Sequence, residues 1–530
     1  MNPKGKLVVG VDYGTTFTGV SYAFLGEASL PIIQLVRSWP GVDTTQFNDK
    51  ALEAATATGI MKLPYGKVAI QVVTDFLREV YLHTCQELKE DLGNRDLDLC
   101  DVQMEFWFTT PAVWSDQVQF EYKEAAIRAG FGPSDDRPDD TIYMLCEAEA
   151  AALATFQTMP LYGPGMQIKP DDGVLICDCG GGTVDVTTYL ISEVSPRLSF
   201  DELTSAIGGM CGATAIDRNF YLLMSERFGA AFNDLPFTRK GPGSRFMDTF
   251  QMFKETFCCS AEDRVYQLPL RMALDNPNPS FFDTENQLVL LSSNDLRGIF
   301  DPVVRQITQL IHRQIESANQ EVGHFIINKI VLVGGFSQSP YLRQRISGTF
   351  AVDGKLAVLT PANPQETVMR GAAIRGLGGP QPTTRKCRSH YGFERSLLVK
   401  GAGTVPGFAS WVLAKGARYG QNHTATQGLV VTHRSGDSLM KISNLYGCND
   451  ADAPQRVDHP GVYLVAQIMC DFASVDLAQC PQSRTGAQVD YLLGYSIEVT
   501  FGAHGDLKCK AVCQGQVIGQ STVNFARSQW

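Results

Sequence analysis

The sequence predicts an α/β protein with two similar lobes, followed by a β-rich domain. Two stretches, 7–22 and 173–190, share one pattern: a buried strand, an aspartate, a turn of glycine and threonine, and a second strand. Apolar residues recur at helical spacing as far as residue 376. Beyond residue 383, short β-rich runs alternate with Gly and Asp turns. A repeated hairpin implies two similar halves, and the loss of helical spacing implies a separate β domain.

The glycine-rich turn of the second stretch is a candidate anion site. Its residues are Asp178, Gly180, Gly181, Gly182, Thr183 and Asp185. Consecutive glycines let the backbone approach an anion closely, since their N–H groups can form a nest, and Thr183 adds a hydroxyl donor. Carboxylates beside a phosphate site suit a hard cation such as Mg²⁺. A phosphate-binding hairpin and a glycine-rich hairpin of a structural sheet both fit this motif.

The first stretch repeats the arrangement with Asp12, Gly14, Thr15 and Thr16. Alone, it would be an ordinary N-terminal hairpin. Helical spacing then predicts a helix over 69–92, and a strand is expected over 102–109. A further strand should lead into an alanine-rich helix that begins at Glu147, with acidic residues in its first turn.

The second half continues the alternation of strands and helices. Gly208 and Gly209 are predicted to form a tight turn, and Ser292 is expected to lie at the cap of a long helix reaching about residue 320. A buried strand should end at Gly334 and Gly335, before a helix that starts near residue 340. The order of strand, glycines and helix N-terminus suits packing a nucleotide against backbone.

Composition limits the class of protein. The chain has 530 residues, 44% hydrophobic and 19% charged, which indicates a globular protein of about two to four domains. Its net charge of -11 argues against broad nucleic-acid binding. The 14 cysteines lack a Cys-x-x-Cys motif, so most are expected to be buried thiols in a reducing compartment. We see no signal peptide and no membrane span of roughly 20 apolar residues, and therefore expect the cytoplasm.

Five motifs together resemble the actin-like ATPase superfamily and, within it, the heat-shock 70 chaperones. Gly10–Thr16 is similar to that family's first phosphate loop, Asp178–Asp185 to its second, and Val331–Gly335 to its adenosine motif. Thr110–Ser115 and Glu147–Ala152 match its connecting segments. The order and spacing of the five agree with the family from about residue 7 to 376.

The resemblance implies a two-lobed actin-like ATPase fold, which is a duplicated ribonuclease H-like fold, over residues 1–376. Lobe I would cover about 1–170 and lobe II about 171–376. A linker is expected over 377–382, and a β-rich domain similar to a substrate-binding domain over 383–530. The sequences of the connecting segments are most similar to those of the divergent type-12 branch of the family. The β-rich tail, which has no obvious long helical lid, also resembles that branch.

The resemblance also implies roles for the site residues. Asp12 and Asp178 would hold Mg²⁺ through its waters. Glu147 and Asp185 would position the attacking water, and Thr183 would contact the γ-phosphate. The residues implied to contact phosphates, sugar or adenine are Gly14, Thr15, Thr16, Gly180, Gly181, Gly182, Gly208, Gly209, Gln251, Lys254, Gly334, Gly335 and Phe336.

Two departures from the family stand out. Phe336 occupies a position where the chaperones have a serine near adenine. The stretch 23–70 is short for the small outer subdomain that supplies the family's catalytic lysine. Lys62 is the candidate for that lysine, although an exposed loop lysine is the plainer interpretation.

The expected function is that of a chaperone ATPase that binds ATP or ADP with Mg²⁺ and couples the nucleotide state to the binding of client polypeptides and possible co-chaperones. Three alternatives keep the fold. The chain could be a nucleotide-binding regulator with little or no hydrolysis, which the short second segment favours. It could be a small-molecule kinase of the same superfamily, or an actin-like filament protein.

Overall fold

The computed structural model describes residues 5–26, 31–37, 39, 66–112, 114–158, 167–259, 264–352, 354–399, 403–485, 488–502 and 507–522. The chain divides into two compact units. The first contains Met1–Val113, Glu121–Ser199 and Ala206–Gln381, and the second contains Trp114–Phe120, Phe200–Ser205 and Pro382–Trp530.

The first half of the larger unit is built on a five-stranded sheet of order β3-β2-β1-β4-β5. Strands β1 and β2 form an antiparallel hairpin, whereas β4 runs parallel to both β1 and β5. Strand β1 lies at the centre of the sheet and is apolar and buried through most of its length, which fixes its register. The elements are β1 (Gly5–Tyr13), β2 (Thr18–Leu25), β3 (Gln34–Leu35), α1 (Ala69–Gly93), β4 (Val102–Thr110), α2 (Asp116–Ala129), β5 (Thr141–Cys146) and α3 (Glu147–Thr158).

The second half repeats this sheet. Its order is β13-β12-β6-β7-β8, in which β6 pairs antiparallel with β7 and parallel with β12, and β12 runs parallel to β13. Each strand of the first sheet therefore has a counterpart in the second, and β6 corresponds to β1. The predicted two-lobed α/β architecture is confirmed. The strands are β6 (Gly173–Cys179), β7 (Val184–Glu193), β8 (Ser199–Gly209), β12 (Ile327–Val333) and β13 (Ala357–Leu359).

Helices and a small three-stranded sheet surround this second sheet. The Ser292 side chain accepts a hydrogen bond from the Asp295 N–H and so caps α8, and Pro340 opens α9, as predicted. These elements are α4 (Thr214–Phe228), α5 (Ala230–Asn233), α6 (Phe237–Lys240), α7 (Arg245–Thr256), β9 (Val265–Pro269), β10 (Phe282–Asp283), β11 (Leu288–Ser292), α8 (Ser293–Val322) and α9 (Pro340–Phe350). The last helix of the larger unit, α10 (Thr367–Gly376), packs instead against the first sheet, where the Ser21 hydroxyl donates to the Met369 carbonyl at 2.7 Å.

The smaller unit is β-rich, as expected. Its two main sheets have the orders β16-β15-β19-β20 and β18-β22-β23-β24, with β21 paired to β22. Its core includes Phe393, Leu445, Phe472 and Leu493, all nearly inaccessible to solvent. The strands are β14 (Thr384–Lys386), β15 (His390–Val399), β16 (Gly403–Leu413), β17 (Arg418–Gly420), β18 (His423–Arg434), β19 (Met440–Cys448), β20 (Val462–Asp471), β21 (Gln482–Thr485), β22 (Gln488–Phe501), β23 (Leu507–Cys513) and β24 (Gln516–Thr522).

Short 3₁₀ turns complete the fold at Leu99–Asp101, Gly335–Gln338, Pro364–Glu366 and Leu477–Gln479. Among the helices of the described ranges, none has the length and apolar content needed to cross a bilayer.

Candidate functional site

The two hairpins predicted from the sequence have the same local geometry. In β1-β2 the Gly14 N–H donates to the Phe17 carbonyl at 3.0 Å, two residues after Asp12. In β6-β7 the Gly180 N–H donates to the Thr183 carbonyl at 3.0 Å, two residues after Asp178. Each central strand therefore has an aspartate as its penultimate residue and is followed by a tight turn at the same edge of its sheet.

The glycine turn of the second hairpin is anchored from one side. The carbonyl groups of its three glycines accept hydrogen bonds from the backbone N–H groups of 212–214, at distances of 2.8 to 3.1 Å. In a planar trans peptide the N–H points away from the preceding carbonyl group. The N–H groups of Gly181, Gly182 and Thr183 therefore face away from this anchor, in the orientation that an anion-binding nest requires.

The tips of the two hairpins meet. A Cβ atom placed on Gly181 would lie 2.0 Å from the Thr16 hydroxyl oxygen, and one on Gly182 would lie 2.4 Å from the Thr15 hydroxyl oxygen. Only glycine permits this approach. The side-chain donors of the first hairpin and the backbone donors of the second thus lie on either side of one narrow space.

Four acidic side chains converge behind this space. Asp12 and Asp178 are the penultimate residues of β1 and β6, Asp185 follows on β7, and Glu147 is the first residue of α3. Glu147, Asp178 and Asp185 are buried, and each is less than a tenth exposed. Burial and the charges of Asp12, Asp178 and Asp185 together raise the pKa of Glu147 well above its ordinary value.

The two aspartates that end the central strands differ in their surroundings. Burial raises the pKa of Asp12 to about 6, while a hydrogen bond from the Thr109 hydroxyl, at 2.6 Å, opposes that rise. Burial, followed by the charges of Asp12 and Asp185, raises the pKa of Asp178 well above its ordinary value. Asp185 accepts a hydrogen bond from the Ala112 N–H at 3.0 Å, which joins the lobe I segment after β4 to the lobe II hairpin.

The donor set fits a hard divalent cation held through water. Within the described ranges, no three His, Cys, Asp or Glu side chains are close enough together to ligate one metal ion directly. Mg²⁺ usually keeps several waters and binds one or two carboxylates. Because the carboxyl groups raise one another's pKa values, a divalent cation beside Asp12 and Asp178 would offset their mutual repulsion.

Gly334 and Gly335 lie next to this cluster but differ in their environments. Gly334 has a φ of 80°, and a Cβ atom there would lie 2.3 Å from the Asp178 carboxylate. Gly335 is exposed, and a Cβ atom there would meet nothing within 4 Å. Phe336 is buried in the 3₁₀ turn that follows. The backbone at Gly335 is therefore open to a ligand, whereas Gly334 is required by the fold.

Residues 108–379, just over half of the chain, match the family model of the Hsp70 protein. The chain belongs to the Hsp70 family. Its sequence is 22% identical to heat shock 70 kDa protein 12A of Mus musculus, over 75% of this chain and 72% of that protein. It is 23% identical to heat shock 70 kDa protein 12B of Homo sapiens, over 73% and 71%. The resemblance to the type-12 branch is confirmed.

Other matches cover less of this Hsp70-family chain or align at lower identity. The chaperone protein DnaK of Thermosipho melanesiensis is 26% identical over 50% of this chain and 39% of its own length. A solved structure of MreB5 of Spiroplasma citri bound to ADP covers 71% of this chain and 98% of its own, with 14% identity and a TM-score of 0.44.

The remaining residues implied by the family motifs lie on β8 and α7. Gly208 and Gly209 are the last residues of β8, so the prediction of a tight turn there is wrong; pairing within the sheet extends the strand through both glycines. On α7, the exposed Gln251 donates to Glu255, and the buried Lys254 forms an ion pair with Asp217 at 2.8 Å. Lys62 lies outside the described residues.

Sequence reasoning missed three contributors to the site. Thr109 donates to Asp12, the Ala112 N–H donates to Asp185, and Gly212 approaches the glycine turn so closely that a Cβ atom would lie 2.6 Å from the Gly181 carbonyl oxygen. Thr109 and Ala112 act across long sequence separations, so no local pattern marks them. For Gly212, the Cys-Gly pair that precedes α4 was a sequence signal that could have indicated a close approach of the backbone.

Proposed function

We propose that this Hsp70-family protein binds an adenine nucleotide with Mg²⁺ between its two hairpins and hydrolyses ATP. The observation that carries the proposal is the close approach of Thr15 and Thr16 to the glycine turn, in front of four converging carboxyl groups. Hydroxyl donors from one lobe and backbone N–H donors from the other suit a polyphosphate held between them.

Each acidic residue has a role in this proposal. Asp12 and Asp178 would hold Mg²⁺ through its waters, and bound Mg²⁺ supplies charge neutralisation at the phosphates. Asp185, oriented by the Ala112 N–H, would accept a hydrogen bond from the attacking water. The raised pKa of Glu147 suits a group that takes up a proton as water attacks the γ-phosphate in line. Thr183 would donate to that phosphate.

The open backbone at Gly335 provides a direct test of nucleotide binding. A leucine there would project into open space, so Gly335→Leu should fold normally but obstruct a nucleoside packed on this turn. Gly348→Leu is the matched control, because a Cβ atom at Gly348 also meets nothing within 4 Å. We expect Gly335→Leu to weaken Mg·ADP binding about tenfold or more in calorimetry, and Gly348→Leu to leave it unchanged. Absence of binding by the wild-type protein would refute the proposal.

One observation favours a second candidate, a nucleotide-binding regulator with little hydrolysis. Among the described residues, no lysine or arginine is among the main groups that shift the pKa values of Glu147 and Asp178, although a nearby cation would lower them. Phosphoryl transfer usually uses a cationic side chain to stabilise developing charge. Whether Lys62 supplies that charge decides between an ATPase and a regulator.

Single-turnover hydrolysis of labelled ATP separates these two functions. For the ATPase, we expect measurable hydrolysis by the wild-type protein, and a loss of about a hundredfold or more in both Asp178→Asn and Lys62→Ala. Lys67→Ala is the control and should hydrolyse ATP as the wild type does. Lys67 precedes α1 and forms an ion pair at the protein surface with Asp75 of that helix. ATP binding without turnover by the wild-type protein would instead support the regulator.

We further propose that the β-rich unit binds client polypeptides and that nucleotide state alters this binding. Membership of the Hsp70 family and the β-rich tail support the proposal. Fluorescence anisotropy of a labelled unfolded peptide should show different affinities with ADP and with ATP. Equal affinities in the two states would contradict the coupling.

The proposed compartment is the reducing cytoplasm. All 14 cysteines are free thiols, and most of them are buried. Disulfides persist in oxidising compartments, whereas free thiols predominate in the cytosol.

A further inference from the structure

Strand β18 forms one edge of a main sheet in the smaller unit. It pairs antiparallel with β22 along its whole length, from His423 opposite Phe501 to Arg434 opposite Asp490, without a bulge. In the described ranges, no strand or backbone segment pairs with its other side. Alternate residues of an antiparallel strand direct their N–H and C=O groups to the same side. About half of the backbone hydrogen-bonding groups of β18 therefore face outward, away from β22.

The other edges of the two main sheets are covered. Along the outer side of β16, backbone hydrogen bonds of 2.8 and 2.9 Å join 407–409 to 455–457. Strands β20 and β24 pack against each other, and a Cβ atom on Gly519 of β24 would lie 2.2 Å from the Met469 carbonyl oxygen of β20. Of the edge strands in these two sheets, β18 alone lacks a cover within the described chain.

Strand β18 also lacks the features that usually prevent an edge strand from pairing. Natural edge strands are short, are twisted away by a bulge, or are protected by lysine or proline. This strand has 12 residues, spans about 40 Å, and contains no lysine, proline, aspartate or glutamate. Its arginine, Arg434, is the last residue and forms an ion pair with Asp490. A long edge without these features is suited to pairing with another chain.

The glycine near the centre of β18 has no explanation within the described chain. Gly428 does not have a positive φ, and a Cβ atom there would meet nothing within 4 Å. Glycine in a strand interior weakens the strand and often marks a place where another backbone approaches closely. A close approach at Gly428 would therefore come from outside the described chain.

The sequence of β18 is approximately symmetric about Gly428. On the exposed face, Thr424 corresponds to Thr432, and Thr426 corresponds to Val430. Opposed side chains of an antiparallel pair lie on the same face, and a twofold interface places residue i against j and j against i. Two copies of β18 paired about Gly428 would therefore oppose threonine to threonine and threonine to valine, which are compatible cross-strand pairs.

The inner face of β18 would gain from the same pairing. Leu429 and Val431 pack against the core of the smaller unit but remain partly exposed. Across the twofold axis, Leu429 would lie opposite Gln427, and Val431 would lie opposite Ala425. Covering these apolar side chains at the open edge removes apolar surface from water, which favours association.

We propose that β18 pairs antiparallel with β18 of a second copy of this chain, about a twofold axis at Gly428. The two sheets would then form one continuous sheet of order β24-β23-β22-β18-β18-β22-β23-β24. Residues 423–433 include no acidic residue, lysine or arginine, so the pairing brings no like charges together. An extended polypeptide would satisfy the same backbone groups, but it would not require the symmetry about Gly428. The contact is narrow, so we expect a reversible dimer with a dissociation constant on the order of 10 µM.

Sedimentation velocity of the full chain tests the proposal, and it needs no nucleotide. The wild-type protein should shift from monomer to dimer as its concentration rises from about 1 to about 100 µM. The double variant Thr426→Lys, Val430→Lys places like charges opposite each other across the axis, so its dimer should be about tenfold weaker or more. Both positions are exposed, so folding should be unaffected. The control, Ile442→Lys with Val517→Lys, adds the same charge at exposed apolar positions of β19 and β24 and should dimerise as the wild type does.

Charge complementation identifies the partner. The double variant Thr426→Glu, Val430→Glu should also be monomeric alone, but it should dimerise when mixed with the double lysine variant, because opposite charges then face each other. A wild-type protein that stays monomeric, a double lysine variant that dimerises like the wild type, or oppositely charged variants that fail to associate would each overturn the proposal. A monomeric wild type, together with a loss of affinity for an unfolded peptide in the double lysine variant, would assign this edge to client polypeptides instead.

Discussion

The two hairpins share a scaffold but differ in the residue beside the terminal aspartate. On β4, Phe108 pairs with Val11, so the next residue, Thr109, lies beside Asp12 and donates to it. On β12, Val333 pairs with Asp178 and has no hydroxyl to donate. Duplication has therefore kept the geometry of the hairpins while their electrostatics diverged.

The same comparison explains the different donors at the two turns. The first turn has one glycine and presents the hydroxyl groups of Thr15 and Thr16. The second has three glycines and presents backbone N–H groups, because its carbonyl groups are held by 212–214. Gly334 then takes the place that Thr110 has in lobe I, and its missing side chain leaves room for the Asp178 carboxylate.

Gly334→Ala should produce the largest difference between the lobes. Its Cβ would contact Asp178 and the Cys179 carbonyl group at a positive φ, so the free energy of unfolding should fall by about 2 to 4 kcal/mol. Thr110→Ala, at the equivalent position, should cost about 1 kcal/mol or less, since the Thr110 hydroxyl makes only a long hydrogen bond to Leu145. Urea denaturation measures the free energy of unfolding of both variants. Equal losses would contradict the inference that Gly334 is required by the fold at a position where lobe I tolerates a side chain.

Neutralising either aspartate should stabilise the ligand-free protein at neutral pH. Between the ordinary pKa of 3.8 and about 6, folded Asp12 retains a proton that the unfolded chain has lost. Stability therefore falls as pH rises through this range. Asp12→Asn should remove that loss and gain up to about 3 kcal/mol at pH 7. Asp178→Asn should also gain stability, because burial and the charges of Asp12 and Asp185 raise the pKa of the Asp178 carboxyl.

Denaturation without divalent cations, at pH 4 and at pH 7, checks this expectation. The advantage of both variants over the wild type should be small at pH 4 and larger at pH 7. If the wild-type protein instead gained stability relative to Asp12→Asn between these two pH values, the pKa of Asp12 would be lowered by folding rather than raised.

Exchanging the residues beside the aspartates should move their pKa values in opposite directions. Thr109→Val removes the donor and should raise the pKa of Asp12 by about half a unit to one unit. Thr109→Ser keeps the hydroxyl and is the control. Val333→Thr should lower the pKa of Asp178 if its new hydroxyl donates to that carboxylate. The pH dependence of the free energy of unfolding reports both shifts, and an unchanged profile in Thr109→Val would disprove the role of the hydroxyl.

The smallest effect concerns protons released on ligand binding. A cation placed near Asp12 favours its ionised form, so at pH 6 the binding of Mg·ADP should release about half a proton from this carboxyl. Calorimetry in buffers of different ionisation enthalpy counts the protons. Asp12→Asn should reduce the count by that amount, provided it still binds, and an unchanged count would place the cation away from Asp12.

Features set by local pattern were predictable from the sequence. Both hairpins, the cap at Ser292 and the helix start at Pro340 depend on residues adjacent in the chain, and the structure confirms them. The aspartate at each turn was predictable for the same reason. Repetition of the pattern then indicated two lobes, as the matching sheet orders show.

Features set by tertiary pairing were not predictable. Gly208 and Gly209 have the composition of a turn, but a neighbouring strand extends β8 through them. The ion pair between Lys254 and Asp217 joins two helices, and the bulge at Asn328 depends on the register between β12 and β6. None of these partners is near in sequence, so helical or strand periodicity carries no information about them.

The central claim is that both hairpins bind the same nucleotide. Calorimetric titration with a non-hydrolysable ATP analogue and Mg²⁺ tests this claim most directly. The proteins compared are the wild type, Thr16→Val from the first hairpin and Thr183→Val from the second. We predict one site in the wild type and an affinity about tenfold or more lower in each variant, since each loses a hydroxyl donor to a charged phosphate. No binding by the wild type, or a loss confined to one hairpin, would contradict the account.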